Sequence, residues 1–262
     1  GELILHAIEH GYREFIIGIG GSATNDAGLG MLQALGFRFY DQNGEILGKG
    51  GQILDQIVAI DFSSVHPALK DARFTIACDV RNPFSGPEGA AYVFARQKGA
   101  DGAMIEKLDA GMKRFSRLIH STTGREITEV AGAGAAGGLG GAFLAFLNAE
   151  LKPGIELLLR TLKFDEKIKD ADLIITGEGR VDRQSVMGKV PFGILEEANK
   201  QGIPVIVVAG SIADTEVLNK AGFRGIFSIV PSPMSLEVAM KPEAAKNNIS
   251  RTVAQIISLA TL

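Results

Sequence analysis

Four times along this chain an apolar run of strand length opens directly into a glycine-rich or acidic loop: after Ile19, Ala77, Ile175 and Val208. In open α/β sheets, ligands bind just outside the carboxyl ends of parallel strands, so loops of this kind constrain both the fold and the place of a site. The runs concerned, residues 13–20, 74–79, 173–176 and 204–209, are short, continuous and apolar, as strands buried on both faces are. Helical periodicity occupies 29–35, 89–98, 103–119, 155–162, 192–201, 215–221 and 242–259. Residues 37–41 alternate as a strand, and Asp41-Gln42-Asn43-Gly44 has the chemistry of a hairpin turn. From residue 173 onward strands and helices alternate strictly, with a further strand at 226–230, which is the pattern of parallel βαβ units. The charged segment 163–172 divides the pattern, so two domains are expected, 1–165 and 166–262. The fold class is α/β.

Composition removes competing classes. Glycine provides 33 of the 262 residues, nearly twice the usual share of roughly 7 %, yet it has no collagen-like period. With 46 % of residues hydrophobic the chain can bury a core and is no disordered tail. A formal charge of −3 supplies no basic field for nucleic acid or an acidic membrane. No apolar run reaches the roughly 18 residues of a membrane span. The single cysteine, Cys78, can form no internal disulfide, so a reducing, cytoplasmic setting is the expectation. The chain opens on Gly1 and enters a helical pattern at once, and an upstream segment is therefore expected.

Four loops carry candidate chemistry. In the first, Ser22, Thr24, Asn25 and Asp26 can hydrogen-bond hydroxyls, carboxylate or phosphate beside a helix N-terminus, although any one of them could simply cap that helix. Gly18, Gly20 and Asp41 also fit a dinucleotide-binding turn with its ribose contact. In the second, Asp79 closes a strand of buried type, where a charge calls for a metal, a cation or a ligand; pairing with Arg81 or capping of the next turn is the structural alternative. In the third, Gly132, Gly134, Gly137 and Gly138 have the spacing of a phosphate cradle, and close helix–sheet packing would give the same composition. The fourth gathers Glu178, Arg180, Asp182, Arg183, Gln184, Ser185 and Lys189 within one loop. Phosphoryl transfer needs carboxylates for Mg²⁺ or the hydroxyl proton, and cations for the transferring charge. Gly188-Lys189 is followed by Val190, so no Walker motif is present. The four histidines lack zinc-site spacing, and no Gly-x-Ser-x-Gly elbow occurs.

Taken in order, GIGGSATNDAGLGMLQALG, CDVRNPFSGPEGAA, AGAGAAGGLGGA and TGEGRVDRQSVMGKVP resemble the type I glycerate kinases over essentially the whole chain. The resemblance implies two α/β domains, the C-terminal one Rossmann-like or flavodoxin-like with a parallel sheet, and an active site in the cleft between them. It further implies ATP-dependent phosphorylation of D-glycerate, typically to 2-phosphoglycerate, with Mg²⁺. Full-length members begin with a strand and an Asp-Ser-Phe-Lys type motif that this chain does not contain.

On this basis the expected reaction is in-line transfer from MgATP to a glycerate hydroxyl. Ser22, Thr24, Asn25 and Asp26, with Arg183, Gln184 and Ser185, are expected to hold substrate. Asp79 or Asp182 accepts the proton or positions Mg²⁺, with Glu178 as a further metal ligand, and sequence does not choose between them. Arg180, Arg183 or Lys189 offsets phosphoryl charge, and the backbone of Gly132, Gly134, Gly137 and Gly138 approaches the nucleotide. Glycerate and ATP are then the small-molecule partners, with no nucleic acid or membrane, and a homodimer is left open. The alternatives are an NAD(P)-dependent oxidoreductase built on Gly18, Gly20 and Asp41, or an inactive fragment of the kinase.

Overall fold

A computed structural model describes residues 1–183 and 189–260. The chain separates into two compact units, Gly1–Gly154 and Ile155–Leu262; the charged segment 163–172 lies inside the second.

The first unit runs α1 (Glu2–Glu9), β1 (Glu14–Gly18), α2 (Leu29–Ala34), β2 (Arg38–Tyr40), β3 (Ala59–Asp61), β4 (Arg73–Ala77), α3 (Ala90–Phe94), α4 (Gly102–Thr123), α5 (Ala135–Phe146) and β5 (Glu150–Lys152). Its sheet is parallel in the order β1-β4-β5, with Phe15 opposite Phe74 and Ile76 opposite Leu151. The central strand carries Phe74 and Ile76 into a core shared with Leu32, Met112, Phe115, Ile119 and Phe143, each buried side chain contributing about 1.5–3 kcal/mol. α4 supplies much of that core from one stripe, Ile105, Met112, Phe115 and Ile119, at the spacing of a helix face. Asp101 fixes its start by accepting the Met104 amide at 2.8 Å, and Gly124, at φ +72°, ends it. β2 and β3 form a separate antiparallel pair.

Two boundaries differ from expectation. β4 stops at Ala77, so Asp79 lies beyond the strand. β5, three residues long, has too little sequence to show a period and owes its existence to pairing with β4.

The second unit comprises α6 (Gly154–Thr161), whose first residue closes the first unit, then α7 (Phe164–Lys167), β6 (Ile174–Val181), α8 (Val190–Lys200), β7 (Val205–Ile212), α9 (Thr215–Ala221), β8 (Gly225–Ser228), α10 (Leu236–Ala239) and α11 (Pro242–Ala260). All three strands are parallel in the order β6-β7-β8. Period-two alternation splits β7: Val205, Val207 and Ala209 meet Leu195 of α8 and Leu218 of α9, while Ile206 and Val208 meet Ile256 of α11. This is the expected parallel α/β arrangement. Among the described residues, no helix is long and apolar enough to cross a membrane.

Candidate active site

β1 delivers the chain to open backbone: a Cβ built on Gly18, Gly20 or Gly21 meets no atom within 4 Å. Beyond it, Gly20, Ser22, Thr24 and Asp26 border a cavity of about 870 Å³. The intervening Ala23 and Asn25 border a second, of about 330 Å³.

Asp26 is buried, and each of its oxygens accepts an amide, Gly28 N–H at 3.0 Å and Gly30 N–H at 2.9 Å. These are the otherwise orphan donors at the start of α2, so its carboxylate anchors the helix while bordering the larger cavity. Lys98 holds the same loop from outside, its Nζ donating to Ser22 Oγ at 2.9 Å and to the Thr24 carbonyl at 2.5 Å. Burial lowers the Lys98 pKa from its ordinary value, and the charge of Asp26 partly opposes that shift. Sequence reasoning missed Lys98 because its partners lie more than seventy residues away and no motif marks it. Asn25 donates from Nδ2 to the Ala90 carbonyl at 3.2 Å; its Oδ1 is buried and has no hydrogen-bond partner among the described residues.

Two sequence readings change on contact with this geometry. Asp79 is exposed and accepts the Gly154 amide at 2.8 Å, anchoring the start of α6, so the cost of burying a charge does not apply to it. Asp41 accepts the amides of Asn43 and Glu45, at 2.8 and 2.9 Å, in its own turn. It follows β2, which pairs antiparallel with β3, whereas β1 pairs with β4. A dinucleotide turn needs the acidic residue at the end of the neighbouring parallel strand, so the Gly18, Gly20 and Asp41 oxidoreductase reading fails.

The block from Gly132 to Gly141 has a packing role. A Cβ on Gly134 would come closer than 3.0 Å to the Pro83 carbonyl oxygen, one on Gly137 to that of Thr24, and one on Gly138 to Ala27 Cα. The amides of Gly132 and Gly134 donate to the Asn82 carbonyl at 3.2 and 3.0 Å, and that of Gly138 to the Gly134 carbonyl at 3.3 Å. Ala136, Gly137 and Gly138 are left-handed, so regular helix begins after them. Three of the four amides assigned to a phosphate are therefore already taken by protein carbonyls, and the packing alternative accounts for this block.

In the second unit β6 continues through the segment read as loop. Glu178 and Arg180 stand on the strand, opposite Ala209 and Ser211 of β7. Glu178 Oε1 lies 4.0 Å from Lys189 Nζ, and Oε2 is buried with no hydrogen-bond partner among the described residues. Arg180 Nε donates to Asp182 Oδ2 at 3.0 Å, the Asp182 side chain being 17 % exposed and that of Arg180 68 %. The Arg183 amide donates to Asp214 Oδ2 at 3.2 Å; Asp214, at φ +53°, is a further residue that sequence reasoning missed. Lys189 occupies the N-cap position of α8. The assignments to Gln184 and Ser185 lie outside the described residues. A cavity of about 740 Å³ opens at the carboxyl ends of these strands, with Gly177, Glu178 and Ser211 on one side and Met240 and Ile249 on the other. Among the described residues no three His, Cys, Asp or Glu side chains are grouped to hold a metal, so Asp79, Glu178 and Asp182 form no such cluster.

The family model of the glycerate kinase family matches residues 1–261. The chain belongs to the glycerate kinase family. Its relatives in this family include a glycerate kinase of Halalkalibacterium halodurans, 46 % identical over 95 % of this chain and 67 % of the relative. A glycerate 2-kinase of Escherichia coli K12 is 47 % identical over 96 % of this chain and 66 % of the relative. A solved structure assigned as glycerate kinase 2 of Salmonella typhimurium LT2 is 42 % identical and superposes with a TM-score of 0.81 over 99 % of this chain and 68 % of that one. The chain thus spans about two thirds of the length of the relatives it matches, and its enzyme class is that of a kinase.

Proposed function

We propose that the protein carrying this chain transfers the γ-phosphoryl group of ATP to a hydroxyl of D-glycerate, giving 2-phosphoglycerate. The observation that carries the reading is the cluster at the carboxyl end of β6, where Glu178, Asp182, Arg180 and Lys189 supply two carboxylates and two cations. Phosphoryl transfer asks little covalent chemistry of the protein and much electrostatic positioning, and this cluster is suited to that. The relatives' names support glycerate as acceptor, and that of the Escherichia coli relative supports phosphorylation at the 2-hydroxyl.

In this reading the nucleotide occupies the 740 Å³ cavity, which Glu178 of β6 and Ser211 of β7 border. Arg180 and Lys189 offset charge on the phosphoryl oxygens. Asp182, oriented by its bond to Arg180, accepts the hydroxyl proton. Mg²⁺ binds through one or two carboxylates together with phosphate oxygens and water, and needs no all-protein cage. The unpartnered, buried Oε2 of Glu178 fits that requirement. When bound there, the ion would supply positive charge against that of the phosphate oxygens. The loop from Ser22 to Asp26, held by Lys98, receives the acceptor.

Glycerate-dependent release of ADP, with the product's phosphorus resonance distinguishing the 2- and 3-phosphates, tests the proposal on this chain and on the full-length protein. Turnover is expected from the full-length protein with 2-phosphoglycerate as product. Calorimetric binding of NADH in place of MgATP would overturn the reading. An inactive chain beside an active full-length protein would mark the chain as a fragment that lacks part of the machinery.

A further inference from the structure

The polar residues of the Ser22–Asp26 segment do not all serve one cavity. The larger space is bordered by Gly20, Ser22, Thr24 and Asp26, together with apolar residues of α1 and β1 such as Ile4 and Phe15. Asp26 already has an amide on each oxygen there. The smaller cavity, about 330 Å³, has a different chemistry: the residues that line it include Asn25, Gln52, Lys98 and Lys107. A three- or four-carbon acid fits within a volume of that size.

Both donors and acceptors at this cavity are left short of partners. Lys98 has three donors, two of which go to Ser22 Oγ and the Thr24 carbonyl. Lys107 approaches an acidic partner only loosely, with Asp55 Oδ2 at 3.8 Å, and its side chain is 59 % exposed. Asn25 cannot turn its amide over, because Nδ2 donates to the Ala90 carbonyl and a flip would set oxygen against oxygen. Its buried Oδ1 therefore stays an acceptor without a donor among the described residues. An unsatisfied buried acceptor is costly unless something supplies the proton.

The geometry points to this smaller cavity as the subsite for the carboxylate end of a small hydroxy acid, with Lys98 and Lys107 facing the carboxylate and Asn25 Oδ1 accepting from the adjacent hydroxyl. One anion and one hydroxyl donor, a bond apart, are what the two lysines and the orphan oxygen together lack. The inference deepens the kinase reading by naming the recognised groups, and rests on that reading for the choice of glycerate. It assigns the discrimination of acid from polyol to Lys107, which no motif marks.

Calorimetric titration of the full-length protein without nucleotide separates the two claims. D-glycerate, D-lactate, 3-hydroxypropionate and glycerol are titrated against the wild type, Lys107→Met and Lys107→Arg. Lys107 stands on the exposed side of α4, so the thermal midpoint should stay in place. Expected are at least 10-fold weaker glycerate binding in Lys107→Met, partial recovery in Lys107→Arg, unchanged MgATP affinity, and no binding of glycerol. 3-Hydroxypropionate, which lacks the 2-hydroxyl that Asn25 Oδ1 would accept, should bind more weakly than D-lactate, which keeps it. Equal glycerate affinity in the wild type and Lys107→Met, with turnover intact, overturns the subsite and leaves the kinase reading standing. Lys107-dependent binding of lactate by a protein that neither binds nor phosphorylates glycerate upholds the subsite and overturns the choice of glycerate. A wild type that binds none of the acids overturns the subsite.

Discussion

Two glycine clusters in the first unit look alike in sequence and are physically opposite. At Gly18, Gly20 and Gly21 an added Cβ would enter empty space, whereas at Gly134, Gly137, Gly138 and Gly140 it would strike protein closer than 3.0 Å. The first cluster leaves room beside a strand end. The second brings a helix start against the loops at 24–27 and 82–84 so closely that only hydrogen fits. Glycine abundance thus reports two needs, access and close packing, and only the neighbours of each residue tell them apart.

The sharpest way to break this comparison is Gly137→Ala. Its Cβ would meet the Thr24 carbonyl oxygen and Asn25 Cα, and its φ of +69° adds left-handed strain. Overpacking costs about 1–3 kcal/mol and the backbone about 1 more. A loss of roughly 3 kcal/mol, near 10 °C in a unit of this size, is expected by urea and thermal denaturation. A midpoint within a degree or two of wild type would show that the block is looser than its geometry says.

Next in size is Asp182→Asn in the second unit, where the effect is on turnover. Removing the proposed proton acceptor should lower kcat in the full-length protein by on the order of 10²-fold or more, about 2.7 kcal/mol, with the unfolding midpoint little changed. Near-normal turnover would remove Asp182 from the catalytic set. Asp26→Ala reverses the balance: it strips an acceptor from the Gly28 and Gly30 amides and should cost about 1–2 kcal/mol of stability. An unfolding midpoint unchanged by that substitution would mean that water replaces the carboxylate at the start of α2.

These contrasts also show what the sequence could carry. The three parallel strands of the second unit were legible, at 173–176, 204–209 and 226–230, because alternation of strand and helix is a local pattern; the continuation of β6 to Val181 was not. The Glu178–Lys189 charge cluster was legible because its members are neighbours in the chain. Lys98 was not, since its value lies in two contacts made across the fold. Nor was the tie from Asp79 to Gly154, because a strand end two residues earlier than expected turned a buried charge into an exposed helix anchor. Asp41 misled for the same reason: its spacing suited a ribose contact, but strand order, which no spacing encodes, placed it in an antiparallel turn.

Gly20→Ala is the counterpart of Gly137→Ala at an open position. Gly20 lies outside the left-handed region and has nothing within 4 Å, so the folded state should tolerate the methyl group. Restricting the unfolded chain then gives a gain of about 0.4–1 kcal/mol. A destabilised variant would indicate that Gly20 is packed after all. A raised KM for glycerate with stability kept would show that the open space is used by ligand.

The smallest expected effect concerns how the open loop is held, by a half-buried ammonium where the packed block relies on backbone hydrogen bonds and close contact. Burial lowers the pKa of Lys98 in the folded protein below its ordinary 10.5. As pH rises from the lowered value toward 10.5, the folded state therefore binds fewer protons than the unfolded one, and stability linked to Lys98 increases across that window. The increment is fully present above 10.5 and is lost as pH falls through the folded pKa. Solvent screening keeps it small, because the side chain is only half-buried. Urea unfolding of wild type and Lys98→Met from neutral pH to pH 10.5 should show their difference drifting in favour of the wild type as pH rises. A difference that stays flat, or drifts the other way, would mean that the hydrogen bonds to Ser22 and Thr24 outweigh the cost of burying the charge, and that the loop is held as rigidly as the block.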